Sequence, residues 1–165
     1  MELIDLVPNS LSFRVITTID IRDEAEIPAR FTGRVRRHTD IGVAYVAWYT
    51  DGELQNPGRH HPAYRRFRAD GKVKYELYYE HGRLQDPSAK VPAVRGYYAS
   101  GRLHYEERYQ AGKREDGRDG SPAIRKWRDD GSLRHEHHYV DGRRLRPPAA
   151  APELPAQPPL AAGDH

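Results

Sequence analysis

One interval constrains this chain more than any other property. The stretch 62–82, reading PAYRRFRADGKVKYELYYEHG, returns twice at a spacing of 30 residues. Pro62-Ala63 recurs as Pro92-Ala93 and Pro122-Ala123, Arg65 as Arg95 and Arg125, Gly71 as Gly101 and Gly131, and Glu76 as Glu106 and Glu136. A fixed period of this length marks an architecture in which each supersecondary unit stacks only on its neighbours.

Within each unit, two runs rich in aromatic and β-branched residues flank Asp70-Gly71, Ser100-Gly101 or Asp130-Gly131. Strand, turn with positive φ, and strand make a hairpin. Given a two-residue turn, Arg65 faces Glu76, Arg95 faces Glu106 and Arg125 faces Glu136. Opposite charges directly across two strands contribute about 0.2 to 1 kcal/mol each and help to set the register. This register puts Tyr64, Val73, Tyr75, Leu77 and Tyr79 on a core side, with Val94, Leu103, Tyr105, Tyr109, Ile124, Leu133 and Tyr139 in the later copies. Arg65, Phe67, Lys74, Glu76 and Tyr78 fall on the other side with Arg95, Tyr97, Arg125 and Trp127. A slip of one residue would exchange the two faces. A second glycine, Gly82, Gly112 or Gly142, marks a further turn that returns Leu84 or its counterpart beside Tyr79. Polar loops reading NPGRHH, DPSAKV and EDGRDGS lead to each Pro-Ala and line one edge of the array, a second candidate recognition surface.

The array opens with half a unit, because Val43, Tyr45, Tyr49, Gly52 and Leu54 stand 30 residues before Val73, Tyr75, Tyr79, Gly82 and Leu84. Full copies follow over 55–84, 85–114 and 115–144, so residues 43–146 form the repeat array. Ahead of it, Leu11, Phe13, Val15, Thr17, Ile19 and Ile21 alternate with Ser12, Arg14, Ile16, Thr18, Asp20 and Arg22, which predicts one long strand opened by Pro8-Asn9-Ser10. An acidic turn over 23–28 closes it, and a second strand is expected over 30–37. Residues 1–42 are read as an N-terminal β cap that keeps the first unit from exposing its edge. Residues 147–165, PPAAAPELPAQPPLAAGDH, lack apolar periodicity and are expected to be a disordered Pro/Ala-rich tail. The fold class expected is mainly β: an elongated antiparallel sheet of about three and a half 30-residue hairpin repeats behind the cap.

Composition agrees with strands. Leu, Ile, Val and Phe total only 30 of 165 residues, and 11 tyrosines with 2 tryptophans make up the apolar deficit. Aromatic side chains suit a pleated surface better than a helical bundle. The absence of cysteine excludes disulfides, thiolate zinc sites and cysteine nucleophiles. The N-terminus lacks a basic region followed by an apolar run, and no stretch nears the roughly 18 apolar residues that span a bilayer. A soluble, cytoplasmic protein with no membrane span is expected. Residues 43–146 carry 21 Lys and Arg against 15 Asp and Glu, so the mild positive bias, which would favour acidic partners, sits in the repeats.

Chemistry-bearing residues each have a plainer reading beside them. His135 and His137 in HEHH share one face of a strand and could hold an ion, yet His135 stands where Tyr75 and Tyr105 stand, and His138 where Tyr78 and Arg108 do. Glu115, Asp116 and Asp119 cluster as calcium ligands would, but the loops NPGRHH and DPSAKV lack the carboxylates. Ser88, Ser100, Ser121 and Ser132 sit in turns without a nucleophile elbow. No catalytic residue, metal or cofactor is expected. The best candidate binding residues are Arg65, Phe67, Arg95, Tyr97, Arg125 and Trp127, one basic and one aromatic residue per unit. Three uses stay open: packing beneath the N-terminal strands, contact with a protein, and stacking on a nucleic acid.

The unit Tyr-x-x-Gly-x-Leu, polar loop, Pro-Ala, aromatic, x-x-Gly and strand resembles the MORN-type repeats, above all their longer bacterial and phage variants. The matching stretches run from Tyr49 to Ala63, Tyr79 to Ala93 and Tyr109 to Ala123, and the resemblance covers residues 43–146. The short eukaryotic-type unit has a shorter period and a Gly-x-Gly after its aromatic, and this chain has neither. The resemblance implies a sheet of successive hairpins used for protein or sometimes lipid contacts, with bacterial members that act as antitoxins. The function expected is a non-catalytic protein-interaction module in the antitoxin or immunity style, binding through the repeat face or the loop edge. The alternative is nucleic-acid or acidic-surface binding through the basic aromatic face.

Overall fold

The computed structural model describes residues 5–9 and 12–146; Ser10, Leu11 and the tail 147–165 lie outside the described residues. Strands make up about half of the described residues, joined by turns and loops. The cap supplies β1 (Asp5–Asn9), β2 (Ser12–Ile16), β3 (Thr18–Ile21) and β4 (Gly33–Thr39), and the opening half-unit supplies β5 (Gly42–Thr50) and β6 (Glu53–Leu54). The first full unit adds β7 (Tyr64–Phe67), β8 (Val73–Leu77), β9 (Tyr79–Glu80) and β10 (Arg83–Leu84). The second adds β11 (Val94–Tyr97), β12 (Leu103–Glu107), β13 (Tyr109–Gln110) and β14 (Lys113–Arg114). The third adds β15 (Ile124–Trp127), β16 (Leu133–His137), β17 (Tyr139–Val140) and β18 (Arg143–Arg144).

One sheet runs through the molecule in the order β16-β15-β12-β11-β8-β7-β5-β4-β3, with β6 on β5. It is antiparallel from β4 onward, and the small hairpins β9–β10, β13–β14 and β17–β18 sit beside it, one per unit. The mainly β architecture of stacked hairpins behind a β cap is therefore observed. Among the described residues no helix is long and apolar enough to cross a membrane.

Two local expectations are corrected. The tight two-residue turn lies elsewhere in the unit: Asp51-Gly52, His81-Gly82, Ala111-Gly112 and Asp141-Gly142 each have positive φ at both residues. Two left-handed residues in succession make the turn whose twist matches that of the flanking strands. As expected, it sets Leu84 opposite Tyr79 and Arg114 opposite Tyr109. At Asp70-Gly71 only the glycine has positive φ, and the wider loop is closed by Arg68 N–H to the Lys72 carbonyl at 2.8 Å. A bulge absorbs the extra residue. Arg65 still pairs with Glu76 and Arg66 with Tyr75, but Phe67 pairs with Val73, leaving Lys74 without a partner across the hairpin. The same shift recurs between Gly96 and Tyr97 and between Lys126 and Trp127.

The second correction concerns the cap. The expected long strand breaks at Thr17, whose carbonyl accepts from Arg34 N–H at 2.8 Å. β2 pairs antiparallel with β1, whereas β3 pairs in parallel with β4. The acidic turn contains a short 3-10 helix, Glu24–Glu26, closed by a capping box between Asp23 and Glu26. Ile21, Phe31, Val35, Tyr45 and Ala47 form the buried core here, with Ile19, Ile27, Tyr49, Leu54 and Tyr64 packed on it. Burying each large side chain contributes about 1.5 to 3 kcal/mol.

From this core a tyrosine row leads along the sheet. Tyr45 stacks on Tyr64 at 4.9 Å between ring centroids, and Tyr64 on Tyr75 at 5.9 Å. Gly96 comes next in the row, where a Cβ would stand 2.1 Å from the ring of Tyr105. The glycine thus makes room for a tyrosine that leans across its strand.

Candidate functional site

On the opposite face, cross-strand register builds a row of charge. Asp20, Arg36, Val46, Arg65, Glu76, Arg95, Glu106, Arg125 and Glu136 stand opposite one another in succession from β3 to β16. After Val46 the signs alternate strictly. The hairpin pairs read from the sequence hold as ion pairs: Arg65 Nε donates to Glu76 at 2.8 Å, Arg95 to Glu106 at 2.9 Å and Arg125 to Glu136 at 3.4 Å. Arg36 grips Asp20 with two bonds of 2.8 Å. Between hairpins the register also sets Glu76 opposite Arg95 and Glu106 opposite Arg125. The row is charge-balanced, so its arginines are committed to glutamates rather than left over for an anion.

Phe67, Tyr97 and Trp127 lie on this same face, two residue pairs nearer the hairpin tips, and all three are half-buried. The bulge brings them company that the two-residue turn had assigned to the other side. Val73, Leu103 and Leu133 are their cross-strand partners, so an apolar stripe of three aromatic–aliphatic pairs flanks the charged row. Tyr97 is tied into the row as well, since its hydroxyl donates to Glu76 Oε2 at 3.0 Å. Burial, with Glu76 beside it, pushes the Tyr97 phenol up to about 12. All six candidate residues are therefore brought together on one face.

The sequence reading missed a second set of residues, which close each unit on itself, from its loop to the start of its first strand and to its small hairpin. Asn56, Asp86 and Asp116 occupy equivalent places in the loop edge. The Oδ1 of each accepts two backbone N–H groups, one seven residues on and one 23 residues on: Ala63 and Tyr79, Ala93 and Tyr109, Ala123 and Tyr139, all within 2.7 to 3.0 Å. Each has a matched neighbour from the next strand. Asp86 holds Arg108 at 3.0 Å, with both side chains less than a tenth exposed, and Asp116 holds His138 at 2.6 Å. Neutral Asn56 instead has buried Tyr78 at the equivalent place. Burial pushes the Asp86 carboxyl up, while the Tyr109 and Ala93 N–H groups and Arg108 pull it down. Gln55 and Gln85 add a parallel set, accepting from His81 and Ala111 N–H at 2.7 Å. The signal was present in the sequence as columns spaced by 30, all Asn or Asp in one and Gln or Glu in the other.

The carboxylates and histidines weighed as ligands point at separate partners. Asp116 takes two N–H groups, Asp119 takes Ser121, and Glu115 takes Asp141 N–H. The rings of His135 and His137 lie 4.9 Å apart, and His137 Nδ1 accepts from Arg144 at 2.8 Å. Among the described residues no group of three His, Asp or Glu side chains is placed to hold a metal. A surface groove of about 240 Å³ at the loop edge is lined by Glu80, Gln85, Asp86, Ser88, Gln110 and Arg118 among others, with no histidine to activate the serine. Comparison with family models, with curated proteins and with solved structures gave no match.

Proposed function

We propose that this chain is a non-catalytic protein-interaction module of the MORN-like hairpin-repeat kind, holding a partner protein on the face of Phe67, Tyr97 and Trp127. One observation carries the reading: an apolar stripe runs beside a row whose arginines already hold glutamates. Such a face offers aromatic and aliphatic contact area, which dominates protein recognition, and a charge pattern that orients a partner. Phosphate binding asks instead for uncompensated cations, so the nucleic-acid reading ranks below it. The partner class we favour is a toxin or other cytoplasmic effector, held in the antitoxin or immunity manner.

The test is capture of the native partner on tagged full-length protein at about 0.15 M and about 1 M salt. Retention at both, with loss in the Phe67→Ser and Trp127→Ser variants, is the expected result. Capture that vanishes at the higher salt with nucleic acid in the eluate, or that persists in both variants, would sink the reading.

A further inference from the structure

Among the described residues, the outer edge of β16 has no strand paired to it. At the two internal junctions, the second strand of one unit receives the first strand of the next in a single register. Leu77, Glu76 and Tyr75 stand opposite Val94, Arg95 and Gly96, and Glu107, Glu106 and Tyr105 opposite Ile124, Arg125 and Lys126. An edge of this kind therefore takes an antiparallel segment reading apolar, Arg, any residue, with the arginine against the glutamate.

β16 is the third such second strand, and among the described residues it pairs only with β15. Its glutamate is the least satisfied: the Glu136 side chain is 40% exposed, against 13% for Glu76 and 17% for Glu106. Leu133, Val140 and Leu145, three of the four large apolar residues exposed among the described residues, belong to the same end of the array. Residues 147–165 contain no arginine and so supply no matching segment. Thirty residues after Arg125 stands Pro155, which has neither the charge nor an N–H for a ladder.

The matching segment is on β16 itself. Leu133-Arg134-His135 reads apolar, Arg, any residue, whereas its counterparts Val73-Lys74-Tyr75 and Leu103-His104-Tyr105 carry Lys or His in the middle. Two β16 strands set antiparallel about a two-fold axis at His135 bring Arg134 of each copy against Glu136 of the other. The axis is perpendicular to the sheet, so the charged rows of both copies share one face and continue into each other. His138 then faces Ser132 of the second copy, much as Tyr78 and Arg108 N–H reach the carbonyls of Ala93 and Ala123 inside the array. The opposite sheet edge makes a poor alternative, because β3 presents Asp20 in the row and would set one carboxylate against another.

We propose that β16 is a self-association edge, at which two copies of this chain pair antiparallel with Arg134–Glu136 contacts fixing the register. Sedimentation of the full chain over a concentration series is expected to show the 19.0 kDa species converting to a dimer. Arg134→Glu and Glu136→Arg each turn both contacts into like-charge pairs and weaken the dimer about tenfold. Both side chains are exposed, so far-UV circular dichroism of each variant matches the wild type. An equimolar mixture of the two variants regains the wild-type affinity, since each supplies the charge that the other lacks. Without any variant, backbone amides of β16 gain hydrogen-exchange protection as concentration rises. A monomer at every concentration, a dimer that both reversals leave intact, a mixture that stays monomeric, or growth past the dimer would each overturn the proposal.

Discussion

Asp86 and Arg108 make the most buried ion pair among the described residues, and the carboxylate joins two backbone segments as well as neutralising a cation that is 7% exposed. Asp86→Asn keeps the acceptor for both N–H groups and leaves the guanidinium buried without its counter-charge. A loss of about 3 kcal/mol in urea unfolding is the expected outcome. The first unit shows the compensating change, since Asn56 lives beside Tyr78. Asp86→Asn combined with Arg108→Tyr therefore recovers most of the loss, and a double-mutant cycle measures the coupling. His104 gives a pH-dependent readout at the same scale. Its ring stacks on Tyr98 at 4.1 Å, and burial, helped by Lys126, Arg134 and Arg68, holds its pKa below the ordinary 6.5. A histidine depressed in the folded state binds fewer protons there than when unfolded, so its contribution is complete above 6.5 and is lost as pH falls through the folded value. Thermal midpoints should drop on acidification across that window, and His104→Phe, which keeps a ring on Tyr98, should show a smaller drop.

Between strands, the charged row predicts a gradient. Glu76 has arginines opposite it on both sides and accepts a tyrosine hydroxyl, whereas Glu136 has an arginine on one side and is the more exposed. Glu76→Gln should cost about 1.5 to 3 kcal/mol and Glu136→Gln well under about 1 kcal/mol in denaturant titrations. Equal costs would mean that the row sets register without contributing stability. The Arg–Glu pairs within each hairpin are legible in the sequence because charge has a sign and the repeat fixes the spacing. The bulge is not: Lys74, His104 and Arg134 resemble any exposed strand residue, and an inserted residue has no composition of its own. That one residue decides whether Val73, Leu103 and Leu133 join the core side or the apolar stripe, so the six candidate residues were readable while their aliphatic partners were not. The Asn and Asp column at 56, 86 and 116 was visible as a pattern, but its role appears only once the fold of the unit brings Tyr79, Tyr109 and Tyr139 alongside. The parallel pairing of β3 with β4 had no repeat to reveal it.

Taken whole, the molecule is asymmetric along its sheet. Among the described residues, the cluster of buried apolar side chains gathers where the cap meets β5, and three of the four exposed large apolar residues lie at the far end of the array. Between those ends, every full unit enters the row with an arginine, leaves it with a glutamate, and closes on itself through the same Asn or Asp acceptor. The units are thus interchangeable couplings of one polarity. Removing residues 85–114 would bring Glu76 against Arg125 and take out Asp86 together with Ala93, Tyr109 and Arg108, its partners, with no sign reversed. The shortened chain should unfold cooperatively with a smaller dependence on urea, in proportion to the surface lost. Array length is then a quantity that gene duplication can adjust a whole unit at a time, lengthening or trimming the charged and apolar face while both of its ends stay as they are.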